Sequence, residues 1–176
     1  MCYNSDHLKT IFTNTKKNMK RILLAFGLLL SSLSYAQQEI KIDIADALII
    51  KSLEFSYERY INSESSFGIS ALFNLAKESE DFRYNEDLMI TPYYRHYFSS
   101  AAAWNLFGEG FVGINSGKGA KLVEYTDAAL GIAIGTKYAS QSGLTIDLYG
   151  GLGRNLFTAE SPVIVPRLGL NVGWRF

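Results

Sequence analysis

Three features of the sequence predict an all-β fold, an eight-stranded antiparallel up-and-down transmembrane β-barrel. Apolar residues alternate with small or polar ones through eight segments, and the last segment keeps alternating to the final residue, as in LGLNVGWRF (168–176). The links between segments are short and long in turn, which in an up-and-down sheet places tight turns at one end and larger loops at the other. The face rich in Leu, Ile, Val and aromatic side chains is the majority face, and Gly, Ser, Asn, Thr and the charges share the opposite one.

The chain opens on a segment to be set aside before fold reasoning. Met19, Lys20 and Arg21 give a positive start, 22–30 (ILLAFGLLL) is a nine-residue apolar run, and Ser34-Tyr35-Ala36 is a small-x-small cleavage pattern. Residues 19–36 therefore read as a secretory signal peptide, because the run falls short of the ~20 residues a spanning helix needs. Residues 1–18 are polar and unpatterned and read as an upstream extension before a start at Met19. Residues 37–176 form one barrel domain of 140 residues.

The strands follow in order. The first is the weakest, 39–47 (EIKIDIADA). The second, 52–61, sets Leu53, Phe55 and Tyr57 against Glu54, Ser56 and Glu58, and the third, 66–76, sets Phe67, Ile69 and Phe73 against Ser66, Gly68 and Ser70. The fourth is 88–98 (LMITPYYRHYF) and the fifth 104–115. The sixth, 126–139, places Leu130, Ile132 and Ile134 opposite Gly131, Ala133 and Gly135. The seventh, 144–155, places Ile146, Leu148 and Leu152 opposite Asp147, Tyr149 and Gly153, and the eighth is 164–176.

Links of four, five and four residues (62–65, 99–103, 140–143) alternate with links of eleven, ten and eight. If the short turns and both chain ends share one side, an upward strand must precede the second. The first strand is therefore required by parity, and its link near 49–52 is expected to be tight.

Which face is greasy separates a membrane barrel from a soluble one. A secreted lipocalin-like carrier would pack its large apolar side chains inside. Here the outward face is apolar and the inward face small or charged, as hydrocarbon surroundings demand. An open sheet in lipid would leave unpaired backbone groups at several kcal/mol each, so the sheet must close.

Composition narrows the function classes. Residues 37–176 hold 12 Lys and Arg against 16 Asp and Glu, and no Cys. This balance argues against a nucleic-acid partner, which would need a basic face, and the lack of Cys excludes disulfides and thiolate metal sites.

Six inward charges, Glu58, Arg95, Glu109, Lys137, Asp147 and Arg175, lie within a few residues of a short turn or chain end, or beside one that does. Glu58, Arg95, Lys137, Asp147 and Arg175 are expected at similar depth, with Glu109 slightly higher beside Arg95, as a paired network that plugs the lumen, since eight strands leave an interior just wide enough for side chains. The functional alternative is a gated polar path for small solutes.

No catalytic residue, cofactor site or metal site is assigned. His96, the single His after the leader, points outward by strand parity, and no Ser stands at a motif-like spacing from it. GGLGRN (150–155) lacks phosphate-loop spacing, and GINSGKGAKLVEY (113–125) lacks the full GxxxxGK[ST] pattern. KESEDFRYNED (77–87) has five acids against two bases and could take a divalent cation, but reads first as a solvated loop.

Several short motifs, SLEFSYERYI (52–61), ITPYYRHYF (90–98), FGEGFVG (107–113), GGLGRNLF (150–157) and the closing GWRF, resemble a family of small Gram-negative outer-membrane β-barrel proteins. Trp174 with Phe176 resembles the carboxy-terminal signal that the barrel assembly machinery reads. The resemblance implies a monomer in the outer membrane, in contact with its lipids, and carries no catalytic residues with it. A structural or interaction role is expected. A narrow pore or small-ligand conduit and a lipid-modifying enzyme are the alternatives.

Overall fold

A computed structural model describes residues 37–76, 85–98, 104–119 and 123–176. The expected signal peptide, the residues before it and most of the acidic 77–87 loop lie outside the described residues. Eight strands close in sequence order into an antiparallel ring: β1 (Gln38–Asp43), β2 (Ser52–Asn62), β3 (Ser65–Asn74), β4 (Glu86–Tyr97), β5 (Trp104–Lys118), β6 (Glu124–Ala139), β7 (Leu144–Asn155) and β8 (Ile164–Arg175). The seam joins β1 to β8, with Ile40 opposite Trp174 and Asp43 opposite Asn171. Beyond the last ladder pair, Phe176 N donates to Gln38 O at 2.9 Å and Gln38 N donates to Phe176 O at 3.1 Å. The terminal Phe thus takes part in closing the ring.

The turns at one end (the turn end, where both termini of the barrel also lie) are tight. Asn62 Oδ1 caps the β2–β3 turn by accepting from Glu64 N at 2.9 Å. Gly143, at φ 99, takes the left-handed conformation of the β6–β7 turn at no steric cost.

At the opposite, loop end the structure departs from expectation twice. The first strand stops at Asp43 instead of reaching 47, because Asp43 Oδ1 accepts from Asp46 N at 3.0 Å and turns the chain. The β1–β2 link is then a wide helical turn, Asp46–Ile50, ended by Lys51 in the left-handed region, and is not tight. The β5–β6 ladder also continues to Lys118 and Glu124, which shortens the expected ten-residue loop to residues 119–123. These two strands are the tallest part of the wall.

Period-two alternation sorts the side chains without ambiguity. Ile132 on the outer face is 75 % exposed, whereas Arg95 and Phe107 on the inner face are fully buried. Outward apolar residues from every strand, among them Ile40, Phe55, Ile69, Leu106 and Leu148, form a continuous band. At the turn end the band finishes in aromatic rings, with Trp104 and Tyr138 5.3 Å apart and Trp174 and Phe176 exposed nearby.

Inside, buried aromatic side chains fill two layers. Tyr93 and Phe111 pack with Leu72, Met89 and Val165, and Tyr97, Phe107 and Tyr149 pack with Tyr60. Gly131 admits this filling: a Cβ there would overlap the Phe111 ring and the Gly153 backbone.

Candidate functional site

The lumen is occupied by charge. Glu58 on β2 is the hub: it accepts from Ser66 Oγ at 2.6 Å, Lys137 Nζ at 3.0 Å and Arg95 Nη1 at 3.1 Å, and also from Lys41 Nζ and the Tyr97 hydroxyl. Asp147 Oδ2 on β7 receives Lys41 at 2.7 Å and Arg95 at 2.6 Å. Glu109 joins a second tier, with Arg95 Nε on one carboxylate oxygen at 2.6 Å and Arg167 Nε on the other at 2.7 Å. Arg167 reaches on to Glu54 at 3.2 Å. Toward the turn end, Glu39 receives Lys137 at 2.7 Å and Arg175 at 2.7 Å.

The aromatic layers hold the cations from the sides. The Arg95 guanidinium lies 4.2 Å from the Phe107 ring centre and 4.8 Å from that of Tyr93. Arg167 lies 5.2 Å from Tyr149 and 5.4 Å from Phe111, and Lys137 5.2 Å from Tyr60. Arg suits such sites because its planar, weakly hydrated head stacks on rings while its edge donates to carboxylates.

Among the described residues the connected network holds five acids (Glu39, Glu54, Glu58, Glu109, Asp147) and five bases (Lys41, Arg95, Lys137, Arg167, Arg175). Equal numbers matter, since an unpaired charge in a buried interior costs several kcal/mol.

Glu58, Arg95, Lys137 and Asp147 meet directly in one layer. Glu109 stands one step toward the loop end as the cross-strand partner of Arg95. Arg175 is partly exposed at the turn-end mouth and touches the rest through Glu39 and Tyr60. Glu109 thus lies above Arg95 as expected, and Arg175 is the one of the six that leaves the shared level.

Sequence reasoning missed Glu39, Lys41, Glu54 and Arg167. The first two sit on the strand with the weakest signal, although the alternation in EIKIDI already turned Glu39, Lys41 and Asp43 inward. Nothing along the chain indicated that Glu54 and Arg167 meet.

A second polar knot lies at the loop end. Asp127 near the start of β6 accepts from Phe157 N at 3.0 Å, Thr158 N at 2.9 Å, Thr158 Oγ1 at 2.9 Å and Ser161 Oγ at 2.6 Å. One carboxylate therefore pins the β7–β8 loop. His96 is exposed, its ring 5.4 Å from that of Phe98, and among the described residues no hydroxyl or carboxylate is hydrogen-bonded to it.

A closed, antiparallel ring of eight strands in sequence order has counterparts among solved structures. The chain is similar to the crystal structure of Neisserial surface protein A, with 14 % identity over 80 % of this chain and 94 % of that one and a TM-score of 0.55. The Yersinia pestis outer membrane protein Ail, solved in a phospholipid bilayer nanodisc, gives 15 % identity over 80 % of this chain and 99 % of that one, with a TM-score of 0.48. The fold is that of an eight-stranded outer-membrane barrel. No protein-family model matches the chain, and no curated protein matches it in sequence.

Proposed function

We propose that the protein is an integral outer-membrane barrel with a closed interior, acting as a structural or interaction protein through its rigid wall and its loop end. The observation that carries this reading is the ten-residue ion network, which runs through the lumen among the aromatic side chains while the outer wall is apolar. A lumen packed with paired charges and rings has no room for a hydrated solute. The apolar band faces outer-membrane lipids, and the aromatic finish at the turn end suits the headgroup region. Trp174 and Phe176 serve as the signal for the barrel assembly machinery, and the barrel works as a monomer with no nucleic-acid partner.

Heat-modifiable gel mobility of the detergent-extracted protein, read together with planar-bilayer conductance, tests this. The expected result is a fast-migrating folded band that converts on boiling, and no channel steps. Sustained channel currents would replace the plug with a narrow conduit. A water-soluble product with no heat-modifiable band would remove the membrane assignment. Turnover of lipid A by the purified protein would favour the enzyme reading instead, against the isolated position of His96.

A further inference from the structure

The outer wall is not uniformly covered. On β5, Gly110 points outward between Tyr94 of β4 and Ile132 of β6, its partners in the two ladders. A glycine in a strand weakens it, and usually marks a bulge, a bend or a close approach. Gly131 and Gly151 are explained from within, since a Cβ at either would collide with neighbouring atoms. A Cβ at Gly110 would meet nothing within 4 Å. No bulge interrupts the β5 ladders there, so packing inside the barrel gives no reason for a glycine at this position.

The next outward row toward the loop end contains a second irregularity. Pro92 occupies the middle of β4, where it has no N–H to give, and Thr91 and Pro92 have no partners in the β4–β5 ladder although the register is the same on both sides. Together the two residues floor a groove of about 820 Å³ in the wall, with Phe67 and Tyr94 on one flank and Leu130 and Leu152 on the other. That volume is within the ~300–1,000 Å³ usual for small-ligand sites. At its loop-end rim stands Arg154, exposed and the β7 partner of Leu130. Among the described residues it makes no ion pair, unlike each of the five cations of the lumen.

We propose that this groove holds the acyl chain of an anionic phospholipid, with Arg154 at its rim binding the headgroup phosphate. The inference rests on the membrane reading above and adds a site to it. Charge complementarity selects the occupant. A guanidinium at the mouth of an apolar groove in a lipid-facing wall matches a molecule with a net negative phosphate headgroup at one end and a hydrocarbon chain at the other, and disfavours one whose phosphate is already neutralised by its own quaternary ammonium. Gly110 and Pro92 provide the depth that distinguishes a held chain from the lipids that merely surround the wall.

Native mass spectrometry of the detergent-purified protein, titrated with dimyristoylphosphatidylglycerol or dimyristoylphosphatidylcholine, tests the site. Folding of each variant is checked by heat-modifiable mobility. Wild type is expected to retain one phosphatidylglycerol in preference to phosphatidylcholine. Gly110→Phe, which fills the notch, should lower retention of both at least about tenfold, the effect of losing contact with a few methylenes. Arg154→Gln should erase the preference while leaving chain binding. Equal retention by folded wild type and folded Gly110→Phe overturns the proposal. So does a dimer in the wild-type spectrum that Gly110→Phe abolishes, because the groove would then belong to a second copy. A wild type that shows no heat-modifiable band at all removes the membrane reading on which the site stands.

Discussion

Glu39 and Glu58 stand directly opposite each other on β1 and β2, two buried carboxylates in cross-strand register. Like charges so placed repel. Lys137 reaches in from the far side of the ring to sit between them, at 2.7 Å from one and 3.0 Å from the other.

Lys137→Met should therefore destabilise the barrel by about 3–5 kcal/mol, the cost of leaving buried charge uncompensated. The urea midpoint for unfolding from vesicles measures it. Adding Glu39→Gln should recover part of the loss, and a double variant no more stable than the single would show that the two residues are not coupled.

Arg95 bonds to Glu58, Glu109 and Asp147 and is packed against Phe107. Arg95→Ala is expected to lower stability by about 3–5 kcal/mol while planar-bilayer currents stay at baseline. The aromatic layers remain in place on either side of the missing side chain. Large single-channel steps in this variant would contradict a plugged lumen.

Asp127→Ala should act locally. Its carboxylate receives backbone and hydroxyl donors from Phe157, Thr158 and Ser161, of which the Ser161 bond is the buried one, so about 1–3 kcal/mol of loop anchoring is lost. Limited proteolysis should cut within 156–163 faster, with little change in the global unfolding midpoint. An unchanged cleavage rate would mean that the loop is held by other contacts.

Two glycines give opposite expectations. Gly131→Ala forces a methyl group against Phe111 and the Gly153 backbone and should cost about 1–3 kcal/mol. Gly110→Ala points into open space and should stay within about 0.5 kcal/mol of wild type. Equal effects at both positions would refute this division between inner and outer faces.

Removing Phe176 takes away both backbone bonds to Gln38 at the seam and the terminal ring. Assembly in cells should fall much more than refolding into vesicles in vitro. Equal losses in the two assays would reduce the role of Phe176 to closure alone.

The strands were legible because one face of each is uniformly greasy; Leu144–Asn155 matches its expected span residue for residue. Inward charges were legible for the same reason. Depth was not. A ladder's register together with the tilt of the strands fixes which residues share a level, and register depends on pairing across strands. Glu54 and Arg167, separated by 113 residues, meet only through that stagger. The short first strand had its own cause: the Asp43 side chain captures a backbone N–H and ends the extended run earlier than the alternation implies.

The ion pairs of the interior also constrain the timing of assembly. Glu39 and Arg175 lie 136 residues apart, Lys41 and Asp147 106, and Glu39 and Lys137 98. None of these partners meets until the first strand has found the last. On the proposed membrane reading, a half-built sheet would present bare carboxylates and ammonium groups to hydrocarbon, which favours entry into the bilayer and completion of the circle as a single concerted event.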